Sequence, residues 1–227
     1  MSATGVRGAP ATLAGHALPY DHLGAGERYL HETRDRAFLA LLRRHGITRL
    51  AGLRVLELGC GEGALQRSLL QYGADERLLE GIDIDAGNVA RAALARPNAR
   101  LTVGDAASLP YATGVFDLAL AFTMFTSVLD SETRARAAAE ALRVLRPGGL
   151  LVVYDFQVNP FNPHVRPLRA GELCELFSPR AVEIERVTLA PPLARALGRW
   201  RSLCAALERA PLLRTHLLAA VVKEGAS

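Results

Sequence analysis

The stretch VLELGCGEG, at residues 55–63, constrains the fold of this chain more than any other part of the sequence. A short apolar run carries a carboxylate, Glu57, near its end, and glycine then occupies positions 59, 61 and 63. The pattern predicts a buried parallel strand that leads into a ligand-binding turn and then a helix. Glycine suits such a turn because the backbone can adopt positive φ, and because a missing β-carbon lets a ligand approach the main-chain N–H groups. The turn therefore predicts a site for a nucleoside cofactor.

Two classes of cofactor fit this turn. Residues 59–64 match the loose dinucleotide pattern of glycine, any, glycine, any, any, glycine or alanine, and Asp83 follows as a ribose acceptor. A diphosphate binds amide donors and a helix N-terminus, whereas neighbouring carboxylates would repel it. Glu57 and Glu62 flank the turn, so a ligand with cationic groups is favoured. S-adenosylmethionine carries a sulfonium, an ammonium group and a ribose that still needs an acceptor.

Five ordered segments of the chain resemble motifs of the class I S-adenosylmethionine-dependent methyltransferases, particularly the small-molecule branch typified by quinone C-methyltransferases. The segments are ELGCGEG at 57–63, GIDID at 81–85, GDA at 104–106, FDLALA at 116–121 and LRPGG at 145–149. The resemblance implies that Asp83 takes both ribose hydroxyls, that Asp105 accepts from the adenine amine, and that S-adenosylhomocysteine is the product. The implied cofactor site comprises Glu57, Gly59, Cys60, Gly61, Gly63, Asp83, Ile84, Asp105, Ala106 and Phe122.

Three residues near these motifs have ordinary structural interpretations. Asp85 precedes a helical run, as an N-cap does. Asp117 opens a strand and is expected to bond turn backbone. Cys60 has no cysteine or histidine at metal spacing, so a small loop residue is favoured over a metal ligand or a nucleophile. No metal site is predicted.

The composition fits one domain, because 227 residues of which 50% are hydrophobic can bury one substantial core. Residues 1–19 are expected to form a flexible tail ahead of a single domain at 20–227. Within that domain we expect a lid helix at 20–47, a cofactor-binding core at 50–157, and a substrate-side loop with C-terminal strands at 158–227. A monomer or a homodimer is expected.

Charge and cysteine usage narrow the expected partners. Three scattered cysteines argue against a disulfide framework and favour a reducing, cytoplasmic compartment. No apolar run is long enough to span a bilayer, and no membrane contact is expected. The net charge is +4, but the arginines, among them Arg34 and Arg134, fall on separate predicted helices, and most of them are interpreted as solvated helix faces. Nucleic acid is therefore not an expected partner.

Alternating apolar runs and amphipathic stretches predict an α/β fold. We expect a doubly wound Rossmann-like sheet of seven strands, mostly parallel with an antiparallel last strand, and an N-terminal helical lid. Strands are predicted near residues 53–58, 79–84, 99–103, 116–122, 149–156, 181–189 and 215–222. One late helix is predicted over 193–209. Its buried side is predicted to carry Leu197, Trp200, Leu203 and Leu207.

Acceptor chemistry is expected in the loops after the fourth and fifth strands, because ligands of such sheets bind at the carboxyl ends of the strands. Asp155 and His164 are candidate acid or base groups, and Arg166 could hold an anionic group of a substrate. Structural alternatives stay open, since His164 could bond the backbone and Arg166 could pair with Asp155. The candidate substrate contacts are Tyr20, Tyr29, His31, Thr123, Asn162 and Arg166.

The sequence thus predicts a methyltransferase for a small-molecule acceptor, with O, N, C and S all open as the atom that is methylated. A sulfonium is already an activated methyl donor, so positioning and exclusion of water are expected to carry most of the catalysis. The alternatives are a nicotinamide-dependent oxidoreductase, a non-catalytic protein that binds the cofactor to stabilise a partner, and a methyltransferase for protein or RNA.

Overall fold

The sheet at the centre of the fold contains seven strands, in a computed structural model that describes residues 24–158 and 165–225. The strands are β1 (Val55–Leu58), β2 (Leu79–Asp83), β3 (Arg100–Val103), β4 (Phe116–Phe122), β5 (Leu145–Phe156), β6 (Val182–Leu189) and β7 (Arg214–Val222). Their order across the sheet is β3-β2-β1-β4-β5-β7-β6, and β7 runs antiparallel to both of its neighbours. The predicted doubly wound sheet with an antiparallel last strand is therefore confirmed.

Seven α-helices pack on this sheet within the described part of the chain. They are α1 (Ala25–Arg44), α2 (Ala64–Gln71), α3 (Ala86–Ala95), α4 (Ser131–Val144), α5 (Ala170–Phe177), α6 (Pro191–Leu197) and α7 (Arg201–Glu208). Short 3-10 turns follow β4 at 125–127 and α7 at 211–213. None of these helices is long and apolar enough to cross a membrane. The predicted tail, residues 1–19, lies outside the described residues.

Two apolar layers bury the faces of the sheet. Phe38 of α1 and Leu69 of α2 belong to the layer on one face, while Ala138 of α4 and Phe177 of α5 belong to the layer on the other. Strand β1 is buried at all four positions because both layers cover it. One of those positions is Glu57, so the fold places a carboxylate inside the sheet.

The prediction of one late helix over 193–209 is wrong, because the segment divides into two helices, α6 and α7. The division has a tertiary cause at Gly198, where α6 ends against the start of α1. A β-carbon on Gly198 would lie 2.3 Å from the Gly26 nitrogen, so the two backbones touch where neither residue has a side chain. The chain then turns, and this turn leaves Trp200 and Leu203 48% and 45% exposed. The predicted burial of these two side chains is also wrong.

A third apolar cluster joins α1, α6 and α7, and we call these three helices the side layer. The buried members of this cluster are Tyr29, Leu30, Leu189, Ala194 and Cys204. The Tyr29 hydroxyl donates to Glu208 Oε2 at 2.7 Å, and ion pairs join Arg195 to Glu27 and Arg201 to Glu32. The N-terminal helix is therefore fixed to the segment between β6 and β7.

Replacing Gly198 by alanine should destabilise the protein by about 1 to 3 kcal/mol, because the new methyl group would overlap the Gly26 backbone. Gly198 has φ −57°, so the substitution introduces no backbone strain of its own. Urea denaturation of the two proteins measures the difference in the free energy of unfolding.

Gly171→Ala is the matched control, because no described atom lies within 4 Å of the β-carbon it would add on α5. This variant should keep the wild-type stability or gain up to about 1 kcal/mol from helix propensity. Equal stability of the Gly198 and Gly171 variants would contradict the close helix crossing.

Candidate cofactor and acceptor site

The glycine turn after β1 has the geometry that its sequence predicts. Gly59, Gly61 and Gly63 have φ of 68°, 51° and 74°, a region that favours glycine. A β-carbon on Gly59 would lie 2.7 Å from Met124 Cγ, so packing also requires glycine there. A β-carbon on Gly61 would meet no described atom within 4 Å. Open space therefore borders the turn at Gly61, where a ligand can approach the main chain.

Glu57 is the most unusual residue of the site. Its side chain is 3% exposed, and Oε2 has no hydrogen-bond partner among the described residues. Burial raises the pKa of Glu57 to about 8, while the charge of Arg34 opposes the shift. A buried carboxylate without a donor is costly, and a cationic ligand group beside Oε2 would remove that cost.

Asp83 is held between two loops at the end of β2. Its Oδ2 accepts from the Gly61 N–H at 2.8 Å, and its Oδ1 accepts from the Asp85 N–H at 2.9 Å. The Asn88 side-chain amide also donates to Oδ1, at 3.4 Å. Each carboxylate oxygen has two lone pairs, so Oδ2 can still accept a hydrogen bond from a ribose hydroxyl. Asp85 caps α3, with Oδ1 accepting from the Gly87 N–H at 2.7 Å, which confirms its predicted role.

The ends of β2 and β3 together form a small apolar shelf. Ile84 and Val103 are 71% and 53% exposed, which is high for branched aliphatic side chains. Asp105 follows directly, and its Oδ1 accepts from the Ala107 N–H at 2.8 Å, beside the half-buried Ala106. A flat apolar ring with an exocyclic amine fits such a shelf.

Two residues of the turn carry less charge than their types suggest. Glu62 is exposed and pairs with Arg91 at 2.7 Å, so it adds no free negative charge at the turn. Cys60 is 4% exposed, and burial, with the nearby carboxylates of Glu57 and Asp83, raises the pKa of its thiol to about 12. A neutral thiol is a poor nucleophile, which favours the interpretation of Cys60 as a small loop residue.

Asp155 is buried at the end of β5, where it joins the two loops of the acceptor side. It is fully buried and accepts from the Thr126 N–H at 3.0 Å, the Thr126 hydroxyl at 2.5 Å and the Phe156 N–H at 2.9 Å. Burial raises the pKa of Asp155 to about 6, although these hydrogen bonds oppose the shift. The arrangement favours a positioning role for Asp155 over contact with a substrate.

Arg134 extends this connection, and its assignment to a solvated helix face is wrong. The side chain is 0% exposed and donates to the carbonyls of Val128 and Arg166 at 2.7 and 2.6 Å and to Glu172 Oε1 at 2.8 Å. Arg166 also pairs with Glu172, at 2.8 Å, rather than with Asp155. One buried guanidinium thus links α4, α5 and the segments after β4 and β5.

An aromatic row lines the carboxyl ends of β4, β5 and the start of β7. Phe122 lies 5.3 Å from Tyr154, and the His216 ring stacks on Tyr154 at 4.9 Å and tilts against Phe156 at 4.2 Å. Burial lowers the pKa of His216 to about 3, so its imidazole is neutral at physiological pH. Sequence reasoning missed His216, because a lone histidine in a late apolar strand belongs to no motif.

Thr123 stands beside this row in a strained conformation. Its φ is 55°, which is unusual for a β-branched residue, and its side chain is exposed at the end of β4. Such strain concentrates at functional sites, because the surrounding structure must hold it. Contact of Thr123 with a substrate stays a prediction.

Helix α1 covers this edge of the sheet with residues other than those predicted. Tyr29 points into the side layer, where it bonds Glu208, and His31 is half-buried on the same helix. Arg34 is 17% exposed and pairs with Asp35, so its assignment to a solvated face is wrong. Phe38, one turn further along α1, packs edge-to-face on Phe122 at 5.4 Å. The remaining predicted contacts, Tyr20, Asn162 and His164, lie outside the described residues.

The fold and the site together define a class of protein: a Rossmann-like domain with a glycine turn and acidic residues at three neighbouring strand ends. Residues 56–153 match the family model described as a methyltransferase domain. A probable S-adenosylmethionine-dependent methyltransferase of Mycolicibacterium smegmatis is 34% identical, over 63% of this chain and 59% of that protein. Both matches support the resemblance of this part of the chain to the class I S-adenosylmethionine-dependent methyltransferases.

Two further proteins show how far the similarity extends. A demethylmenaquinone methyltransferase of Beutenbergia cavernae is 37% identical, over 49% of this chain and 44% of that protein. The chain thus spans about half the length of the curated relatives it matches, with 59% and 44% of the two proteins covered. The solved structure of the cyclase SpnF has a TM-score of 0.60 at 22% identity, over 84% of this chain and 81% of that one. This last likeness is one of fold alone.

The buried Glu57 predicts a specific pH dependence of stability. The folded protein holds a proton on Glu57 between the ordinary pKa of 4.5 and the folded value of about 8, so the stability contributed by this proton is lost as pH rises. Without ligand, the free energy of unfolding should fall between about pH 7 and 8.5, a window above the folded pKa of Asp155 and above the ordinary pKa of the His216 imidazole. Glu57→Gln should remove most of this slope, whereas an unchanged slope would show that Glu57 is not the titrating group.

Loss of the buried arginine should be far more costly than loss of an exposed one on the same helix. Arg134→Met should lower the free energy of unfolding by about 3 to 5 kcal/mol, because it removes donors from Glu172 and two buried carbonyls. The control is Arg136→Met, since Arg136 is 52% exposed and pairs only with residues of its own turn. It should change stability by about 0.5 kcal/mol or less. Similar losses in chemical denaturation would argue against a special role for Arg134.

Proposed function

We propose that this protein transfers a methyl group from S-adenosylmethionine to a small-molecule acceptor. The observation that carries the proposal is the unpartnered, buried Oε2 of Glu57 at the foot of an open glycine turn. The ammonium group of the cofactor's methionine part fits that oxygen, and its ribose fits Asp83. Its adenine fits the shelf of Ile84 and Asp105. When bound, the cofactor supplies a methyl group that its sulfonium has already activated.

The residues of this chain contribute position and exclusion of water. Glu57, Asp83 and the turn fix the nucleoside at the carboxyl ends of β1 and β2. Helix α1 and the aromatic row keep water from the edge of the sheet where an acceptor would lie. The buried pair of Asp155 and Arg134 holds the loops after β4 and β5 in one arrangement, which preserves the alignment of the acceptor.

The aromatic row favours a flat ring as the acceptor. Phe156 is the half-buried member of the row that an acceptor could reach, while Tyr154 and His216 are buried and stacked behind it. The His216 imidazole bonds Thr215 through Nδ1 at 3.1 Å. The relative from Beutenbergia cavernae carries a name that refers to demethylmenaquinone, which contains such a ring. We therefore propose a hydroquinone-like acceptor and a cytoplasmic reaction, in keeping with three cysteines that form no disulfide.

Isothermal titration with S-adenosylmethionine, S-adenosylhomocysteine and reduced nicotinamide cofactor tests the binding step. The two sulfur nucleosides should bind, and the nicotinamide cofactor should not. Asp83→Ala should weaken nucleoside binding by about 2 to 4 kcal/mol through the loss of charge-assisted hydrogen bonds. Asp85→Asn is the control, because asparagine caps a helix as well as aspartate and the affinity should stay unchanged. Binding of the nicotinamide cofactor alone would replace the methyltransferase with an oxidoreductase.

Transfer itself is measured with isotopically labelled methyl donor and reduced naphthoquinone as the acceptor. The product should be heavier than the acceptor by one methylene unit and should carry the label. Tight binding of the nucleosides without transfer to a broad panel of phenols, amines and hydroquinones would instead favour a non-catalytic cofactor-binding protein.

A further inference from the structure

The segment between β6 and β7 exposes three large apolar side chains. Trp200, which precedes α7, is 48% exposed, and Leu203, three residues later, is 45% exposed. Leu212, in the 3-10 turn that packs beside α7, is 87% exposed. We call these three residues, together with Arg199 and Arg209, the α7 surface. The three apolar side chains do not lie on the buried face of a helix, and they are not part of the proposed methyltransferase site.

The same segment is rich in arginine. Residues 191–214 contain five arginines and one acidic residue, Glu208. Two of the five are paired with carboxylates of α1, Arg195 with Glu27 and Arg201 with Glu32. Arg199 and Arg209 are exposed and have no acidic partner among the described residues, and the Arg199 guanidinium lies 4.0 Å from the centre of the Trp200 ring. The α7 surface is thus both apolar and cationic.

The α7 surface is held firmly from behind, so its exposure is not the fraying of a loose segment. Cys204 of α7 and Ala194 of α6 are fully buried in the third apolar cluster. Glu208 accepts from the Tyr29 hydroxyl at 2.7 Å, and Gly198 fits against Gly26. The fold keeps this surface in a fixed outward orientation.

Topology places the α7 surface on the same edge of the sheet as the proposed site. Strand β6 ends and β7 begins at the carboxyl edge, since Leu189 pairs with Arg214 and Phe156 pairs with His216. The segment between β6 and β7 therefore lies beside the loops that follow β4 and β5. Leu129 and Val158 in those loops are also more than half exposed, at 57% and 51%.

We propose that the α7 surface docks this protein on an anionic lipid bilayer. Trp200, Leu203 and Leu212 would enter the interfacial region, and the guanidinium groups of Arg199 and Arg209 would meet lipid phosphates. Tryptophan suits this position because it is apolar with one polar edge, and arginine suits it because its fork binds phosphate oxygens in pairs. The expectation of no membrane contact rests on the lack of a spanning helix, and peripheral docking needs none.

The positive charge of the α7 surface favours an anionic bilayer over two other possible partners, a second copy of this chain and nucleic acid. A second copy of this chain, related by a two-fold axis, would set the arginines of one α7 surface against the same arginines of the other. Nucleic acid would satisfy the arginines but would leave Leu203 and Leu212 in water. An anionic interface is the partner that accommodates both the charges and the apolar side chains.

The single tryptophan of the chain is Trp200, so its fluorescence reports directly on this surface. On adding vesicles of phosphatidylcholine with one third phosphatidylglycerol, the emission should shift to shorter wavelength and the protein should sediment with the vesicles. Vesicles of phosphatidylcholine alone should give a much smaller effect, and added salt should weaken binding to the anionic vesicles. No shift and no co-sedimentation at low and physiological salt would overturn the proposal.

Matched variants locate the docking residues. The double variant Leu203→Ser and Leu212→Ser should lower vesicle affinity about tenfold, and Arg209→Ser should lower it about fivefold. Leu94→Ser is the control, because Leu94 is 83% exposed on α3, on the side of the sheet where β3 is the outer strand and far from β6. The vesicle affinity of this variant should match that of the wild-type protein. Equal losses for Leu94 and the α7 variants would overturn the assignment.

Three parallel measurements separate this proposal from the proposed reaction and from other partners of the α7 surface. Titration of each variant with S-adenosylhomocysteine should give the wild-type affinity, which shows that the proteins are folded and that the cofactor site is intact. Analytical ultracentrifugation and a binding assay with RNA complete the set. Dimers that the two leucine substitutions abolish, or RNA binding that competes with the vesicles and exceeds them in affinity, would show that the occupant is not a bilayer.

Discussion

A carboxylate buried in a parallel sheet is stable only as a neutral acid or beside a cation, and this constraint organises the cofactor edge of the protein. Strand β1 is closed on both faces by apolar layers, so Glu57 cannot reach water for a donor. The glycine turn that follows β1 borders open space at Gly61, and Asp83 holds that turn in place through the Gly61 N–H. A cationic group would therefore stabilise the Glu57 carboxylate at the point where a nucleoside can approach. The site is prepared by the fold, at a cost in stability that a ligand can offset.

The acceptor side is organised by a different kind of burial. Asp155 and Arg134 are each fully buried, and their polar contacts join the loops after β4 and β5 to each other and to α5. Buried charged groups of this kind fix geometry, since a shift of either loop would leave a carboxylate or a guanidinium without partners. At the cofactor edge, Glu57 thus has a carboxylate oxygen without a partner. The buried charged groups that hold the acceptor loops, in contrast, have hydrogen-bond partners.

Sequence reasoning reached those features that local rules determine. The glycine turn, the succession of apolar strands and the N-cap at Asp85 follow from backbone geometry and short-range hydrogen bonding, and the structure confirms them. The break between α6 and α7 lies beyond such rules, because Gly198 ends α6 only through its contact with Gly26, far away in sequence. The exposure of Trp200 follows from that break.

The burial of charged residues on helices was also beyond sequence reasoning. Arg134 and Arg136 lie two residues apart on α4 and differ only in the direction each side chain takes, which helical periodicity assigns but residue type does not. One is buried as a link between loops and the other is solvated. His216 escaped notice for a related reason, because its aromatic neighbours come from β5, which pairs with β7 only in the folded sheet.

The position of β7 has a consequence for how the protein is made. This strand leaves the ribosome after the other six, yet it lies inside the sheet, between β5 and β6. Until residues 214–222 emerge, β6 has no strand to pair with, and β5 presents an unpaired apolar edge. A nascent chain of this topology therefore keeps two unpaired strand edges open until β7 has emerged, and such edges are prone to aggregate during that interval.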